Sequence, residues 1–196
     1  MNDRTIQYYD EHAEEFCSGT FHADMQECRD QFLQYLTPGQ NILDAGCGSG
    51  RDTVAFLRAG YNVEAFDASP EICNIAVENT GIHVRCLRFE YLSGLEKYDG
   101  IWACASLLHV KIDDLPDVLK RLYNLLKKKG ILYASFKYGS GERYKDERYF
   151  CDLTEVESQV LIESAGFALK EIFITHDVRE GRRNERWINI IAGKNA

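Results

Sequence analysis

The stretch Asn41-Ile42-Leu43-Asp44-Ala45-Gly46-Cys47-Gly48-Ser49-Gly50-Arg51-Asp52-Thr53 constrains this chain more than any other. An apolar pair, Ile42 and Leu43, runs into glycines at alternate positions, and the helix-period segment Val54-Ala55-Phe56-Leu57 follows. That order reads as strand, tight turn, helix, the phosphate-end turn of a Rossmann-like βαβ unit. Glycines there permit positive φ and leave bare backbone for a ligand to lie against. Asp67 comes 21 positions after Gly46 and closes the next apolar segment, Tyr61 to Phe66. An adenosine ligand needs a carboxylate at about 20 residues' distance to accept from its ribose hydroxyls.

Two details select among adenosine ligands. The dinucleotide pattern requires a third glycine where Arg51 stands. Asp44, two residues before Gly46, would repel a pyrophosphate and favour a cation. S-adenosylmethionine has no phosphate and carries a sulfonium and an ammonium. On Leu43-Asp44-Ala45-Gly46-Cys47-Gly48-Ser49-Gly50 the chain resembles the class I S-adenosylmethionine-dependent methyltransferases. Glycines alone would equally fit a plain strand–helix turn; Asp44 and Asp67 beside them argue against it.

The resemblance implies an α/β fold with a Rossmann-like seven-stranded sheet. Its strand order is 3-2-1-4-5-7-6, strand 7 is antiparallel, and helices cover both faces. It implies one domain over 1–196, with a helical lid at 1–37 and a core at 41–193. It implies S-adenosylmethionine as the cofactor and S-adenosylhomocysteine as the product. The pattern looks like that of the compact bacterial-type members grouped loosely with the ubiquinone-biosynthesis and tellurite-resistance methyltransferases, without singling out a substrate.

A net charge of -8 gives no global attraction to a polyanion, so nucleic acid is disfavoured as a partner. The seven cysteines are odd in number and none stands in a C-x-x-C pair, which suits reduced thiols in a cytoplasmic protein. No signal-peptide character marks Met1-Asn2-Asp3-Arg4, and the longest apolar run, Ile101 to Leu108, is too short for a membrane span. No His/Cys/Asp/Glu cluster has metal-ligand spacing, so no metal is expected.

Ile6, Tyr9, Ala13 and Phe16 share one helical face, which Gly19 is expected to break. A second helix carries Met25, Cys28 and Phe32 and ends at Thr37-Pro38-Gly39. In the family these helices cap the cofactor, so Tyr9 or Phe16 is a candidate for cation–π contact with a sulfonium; docking on the sheet is the alternative. Ser69-Pro70-Glu71 opens the helix after Asp67-Ala68. Ile82 to Leu87 reads as the third strand and leads into Phe89-Glu90. By resemblance Glu90 meets the adenine amino group and Phe89 packs on the ring. Tyr98 to His109 forms the fourth strand and its turn, where by resemblance strand-end residues such as Ala103 line the transfer site. The site set implied for the cofactor is thus Tyr9, Asp44, Gly46, Cys47, Gly48, Asp67, Ala68, Phe89, Glu90 and Ala103.

His109 is the candidate base, against a plain histidine at a helix entrance. Leu115 to Leu126 is a helical stripe that Lys127-Lys128-Lys129-Gly130 is expected to close, cations on the negative dipole end. The fifth strand, Ile131 to Phe136, is followed by a polar aromatic loop, 137–151. Thr154-x-x-Glu157 offers a capping box, and two last strands enclose an arginine-rich turn. Lys137, Arg143 and Arg148 from the loop, and Arg179, Arg182 and Arg183 from the turn, are expected to converge on a small anionic acceptor, with Tyr138, Tyr144 or Tyr149 stacking on it. An exposed, solvated hairpin is the competing reading. Lys137, Arg148, Arg179 and Arg182 are the substrate candidates. Rival functions are an RNA or protein methyltransferase, a non-catalytic cofactor-binding regulator and a nicotinamide oxidoreductase.

Overall fold

The computed structural model describes residues 3–195; Met1, Asn2 and Ala196, the ends of the expected domain span, lie outside the described residues. Seven strands form the main sheet: β1 (Asn41–Ala45), β2 (Asn62–Asp67), β3 (Val84–Cys86), β4 (Tyr98–Ala103), β5 (Leu126–Lys137), β8 (Ala168–His176) and β9 (Arg186–Gly193). Their order is β3-β2-β1-β4-β5-β9-β8, with β9 antiparallel to both its neighbours. This is the expected 3-2-1-4-5-7-6 order. The helices are α1 (Asp3–Glu11), α2 (Ala13–Phe21), α3 (Gln26–Leu33), α4 (Arg51–Arg58), α5 (Pro70–Thr80), α6 (Leu115–Leu125) and α7 (Glu155–Ser164).

Alternation along the strands sends side chains to two separate cores. Leu43, Ile101, Leu132 and Ile190 pack with Leu115, Val118, Leu119 and Leu122 of α6 and with Leu161 of α7. Their sequence neighbours Ile42, Trp102, Tyr133 and Ile191 pack on the other face with Cys28 and Phe32 of α3 and Phe56 of α4. Burial on both faces makes the strands continuous apolar runs.

Three expectations are corrected. Gly19 does not break the first helix: the break is at His12, and α2 runs through Gly19 to Phe21. A glycine inside a helix costs only about 1 kcal/mol, and Ala13 and Cys17 are anchored against Ile72 of α5. The lysine run does not close α6. The helix ends at Leu125, and Leu126 is already extended, buried and paired with Tyr98. Pairing then jumps to Gly100 with Ile131, so the lysines occupy a bulge at the start of β5, where Lys127 pairs with Asp99 at 2.8 Å. Finally, the segment 137–151 is no open loop. It holds a hairpin of β6 (Gly141–Lys145) and β7 (Arg148–Asp152), turned at Asp146 and Glu147, both at positive φ. That is the geometry of a two-residue primed turn without the usual glycine.

The hairpin grips the N-terminal helix. Tyr149 donates its backbone N–H to Thr5 Oγ1 at 3.1 Å, and the Arg148 guanidinium lies 4.3 Å from the Tyr8 ring centre.

Candidate functional site

A cavity of about 890 Å³ opens at the carboxyl ends of the parallel strands, the ligand edge of open α/β sheets. One end is the glycine loop. Gly46 and Gly48 sit at φ 78° and 55°. A Cβ on Gly46 would strike Ser106 Cβ, and one on Gly48 would touch the Phe16 ring at 3.5 Å. The loop is thus bare because the turn after β4 leaves no room for a side chain at Gly46, and the positive φ of Gly48 strains one there. Gly46 and Cys47 both donate their N–H to Phe66 O at 2.9 Å.

Asp67 ties this loop to the next helix. One carboxylate oxygen accepts from Gly48 N at 3.0 Å, the other from Ser69 N at 3.1 Å. Burial raises its pKa, and those N–H groups oppose the rise. Ser69 caps α5 and donates to Asp10 of α1. Asp44 is 2% exposed and accepts from Thr53 Oγ1 at 2.6 Å. Burial, then the neighbouring Asp52, pushes its carboxyl up to about 7. Asp52 is held low despite burial, because Arg51 and Arg29 bond it at 2.6 and 2.8 Å; Trp102 Nε1 also donates to it. Arg51, where a dinucleotide loop would have glycine, is therefore a cavity-lining cation fixed by its neighbour.

His109 sits on the 3₁₀ turn Leu107–His109 after β4 and is 4% exposed. Its Nδ1 lies 2.7 Å from Tyr149 O. A carbonyl only accepts, so Nδ1 carries the hydrogen. Burial lowers the imidazole to about 4, so Nε2 is bare near neutral pH and accepts from Tyr9 O–H at 2.9 Å. This fixes tautomer, ring and the Tyr9 hydroxyl together.

Tyr9, Asp44, Gly46, Cys47, Gly48, Asp67, Ala68 and Phe89 all line the cavity, as do His109, Lys137, Arg148, Arg179 and Arg182. Two expected cofactor residues do not. Glu90 is on the 3₁₀ turn Phe89–Tyr91, half-buried outside the lining, and Ala103 is fully buried within β4. Leu87 and the Cys104–Ser106 segment take those places in the wall.

The basic wall forms, but mostly neutralised. Lys137 pairs with Asp177 at 3.1 Å and with Glu185, its Nζ 3.9 Å from the Trp187 ring centre. Arg179 grips Asp177 through Nε and Nη2 at 2.9 and 2.6 Å. These cations hold the Asp177 carboxyl far down despite its burial. Arg143 pairs with Asp152 at 2.5 Å and Arg148 with Asp146 at 3.2 Å. Arg182 and Arg183 are exposed at the mouth and make no ion pair among the described residues. Tyr138, Tyr144 and Tyr149 are not in the lining, whose aromatic rings include Tyr9, Phe16, Phe66, Phe89, Phe150 and Trp187. The sequence reading also missed Ser135 and Asn189, buried polar residues of β5 and β9 that line the deep end. Their strand-interior positions gave no signal. Among the described residues no group of three or more His, Cys, Asp or Glu could hold a metal ion.

Residues 42–130 match the family described as methyltransferase domain. An uncharacterised methyltransferase of Staphylococcus carnosus is 26% identical over 136 residues, 65% of this chain and 66% of that protein. The ubiquinone biosynthesis O-methyltransferase of Methylocella silvestris is 30% identical over 113 residues, 55% of this chain and 43% of that protein. The chain spans about half the length of the curated relatives it matches. In fold it is similar to Burkholderia thailandensis 1,6-didemethyltoxoflavin-N1-methyltransferase, solved with 1,6-didemethyltoxoflavin and S-adenosylhomocysteine. The TM-score is 0.81 at 24% identity, covering 98% of this chain and 87% of that one. No helix among the described residues is long and apolar enough to cross a membrane.

Proposed function

We propose that the chain, whose residues 42–130 match a methyltransferase domain, is a class I S-adenosylmethionine-dependent methyltransferase that transfers a methyl group to a small acceptor held beside Lys137, Phe150, Arg182 and Trp187. The observation that carries this reading is the continuity of one cavity from the glycine loop and Asp67 to those residues. The residues fit the cofactor. Gly46 and Gly48 put bare backbone on the cavity wall, Asp67 offers a carboxylate to the ribose, and Asp44 offers one to a cation. S-adenosylmethionine would supply an electrophilic methyl group on a good leaving group.

The chain's own part is alignment and exclusion of water. Tyr9, held through its hydroxyl by His109, covers the cavity from α1, and the hairpin holds α1 in place through Thr5. His109 is not a strong base: at about 4 it does not deprotonate a neutral hydroxyl or amine before attack. It takes a proton only from a group made acidic as the new bond forms.

The acceptor proposed is small and carries one anionic group. Lys137 and Arg179 are already matched by Asp177 and Glu185, so Lys145, Arg182 and Arg183, which line the cavity and make no ion pair among the described residues, are the cations proposed to meet it. Curated relatives with varied names, among them magnesium-protoporphyrin and ubiquinone-biosynthesis O-methyltransferases, support small molecules as a class without fixing one. The test is calorimetry with S-adenosylhomocysteine and NAD, then turnover of labelled S-adenosylmethionine on a small-molecule extract, with RNA and protein fractions alongside. Binding of the first ligand and label in a small acid are expected. Binding of NAD alone overturns the reading. Label only in RNA or protein overturns the acceptor class, and cofactor binding without turnover supports a regulator.

A further inference from the structure

Behind the wall made by Cys47, Asp67 and Ala68 stands a row of thiols that the proposed reaction leaves unused. Cys47 lies in the glycine loop, Cys73 near the start of α5 and Cys86 at the end of β3. Cys47 and Cys73 pack in one cluster with Ala65 and Val84. Cys73 Sγ donates to Asp67 O at 3.5 Å and reaches Arg85 O at 3.7 Å. Cys86 is the residue after Arg85, pairs with Asp67 in the β2–β3 register, and donates its Sγ–H to Ala68 O at 3.8 Å. Two thiols, one from a helix and one from a strand, therefore converge on consecutive carbonyls of one loop.

The two differ in access. Cys73 is 5% exposed, whereas Cys86 is open to solvent. Burial, Asp67 and Cys86 itself push the Cys73 thiol up to about 12. An oxidant thus meets Cys86 first, and Cys73 is placed to resolve the product.

We propose that Cys73 and Cys86 form a reversible disulfide on exposure to hydrogen peroxide, and that this bond weakens cofactor binding by shifting the segment 67–69. The Cys86 thiolate attacks peroxide, giving a sulfenic acid and hydroxide. The Cys73 sulfur then attacks the sulfenic sulfur; the S–S bond forms, the S–O bond breaks, and water leaves with the Cys73 proton. Two thiols and one peroxide become one disulfide and two waters, the sulfurs oxidised and the peroxide reduced. A disulfide sulfur has no hydrogen to donate, so Asp67 O loses its Cys73 bond and keeps the one from Leu87 N at 2.8 Å. Disulfide geometry then fixes the start of α5 against the end of β3. Ser69, which caps that helix and bonds Asp67, moves with it. The bond itself stands on the thiol geometry; its effect on the cofactor rests on the function proposed above.

The experiment treats full-length wild type and Cys86→Ser with hydrogen peroxide. It maps peptides without reduction by mass spectrometry and titrates S-adenosylhomocysteine before oxidation, after it, and after dithiothreitol. A peptide linking Cys73 to Cys86 is expected in wild type only. With it, affinity should fall about tenfold, an ordinary coupling between sites, and recover on reduction; Cys86→Ser should keep its affinity. Oxidation of Cys86 without the link, or a link from Cys86 to another cysteine, overturns the proposal. So does the link with affinity unchanged. If reduced wild type binds no S-adenosylhomocysteine, the cofactor reading fails and the coupling with it, while the peptide map still decides the bond.

Discussion

A cation entering the cavity meets, in Asp44, a carboxyl that below about pH 7 still holds its proton. The cation favours the ionised form, so binding S-adenosylmethionine should release a proton below pH 7. Affinity should climb with pH to about 7 and then level off. Asp44→Asn should flatten that profile and cost about tenfold in affinity at pH 8. Calorimetry at pH 6 and 8, in buffers of different ionisation enthalpy, checks both. Between its ordinary 3.8 and about 7 the folded chain keeps a proton that the unfolded chain has lost, so this group's support for the ligand-free fold declines as pH rises. His109 works the other way. Its folded value of about 4 lies below its ordinary 6.5, so the unfolded chain takes the proton first as pH falls. Stability present above 6.5 is lost toward pH 4, by up to about 3 kcal/mol. Thermal melts at pH 7 and 4.5 should show a smaller loss for His109→Asn than for wild type.

Elements show which local signals were decisive. Thr154 and Glu157 form the complete capping box expected from their spacing: Thr154 Oγ1 accepts from Glu157 N, and the Glu157 carboxylate accepts from Thr154 N at 2.8 Å. Thr154→Ala should cost about 1 kcal/mol in urea melts and leave S-adenosylhomocysteine affinity unchanged, since Thr154 is outside the cavity lining. The glycine loop and Asp67 were equally legible, because each rests on local spacing; alternating strands and helices imposed a largely parallel sheet, and its strand order came from the family resemblance. The hairpin was not: its turn, Asp146-Glu147, holds positive φ without glycine or asparagine, and Thr5 and His109, which anchor it, are far away in sequence. The basic wall was half legible. Sequence shows where Lys137 and Arg179 converge, but only the fold shows that Asp177 sits between them. Phe89 reached the wall and Glu90 did not, because a 3₁₀ turn sends successive side chains in different directions.

Across the whole molecule the cavity draws its walls from segments that are distant in sequence: Tyr9 and Phe16, the glycine loop, the hairpin, and Trp187 on β9. A ligand seated there would join the N-terminal helices to the sheet, and its binding energy would then support the fold as a unit. S-adenosylhomocysteine at a hundred times its dissociation constant should add about 2.7 kcal/mol. For a chain of 196 residues that is a rise in Tm of roughly 5–10 °C. Two probes make the test sharper. In a Trp187→Phe variant the remaining tryptophan, Trp102, is buried among the α3 and α4 contacts and its fluorescence follows that layer, while far-UV circular dichroism follows all the helices. Coincident transitions that move together mean the ligand holds both layers. A shift seen by circular dichroism alone, with Trp102 fluorescence unmoved, would mean that it does not hold the layer of α3 and α4. RNA at low salt should give no shift, because the net charge is -8 and the hairpin cations Arg143 and Arg148 are already paired with carboxylates.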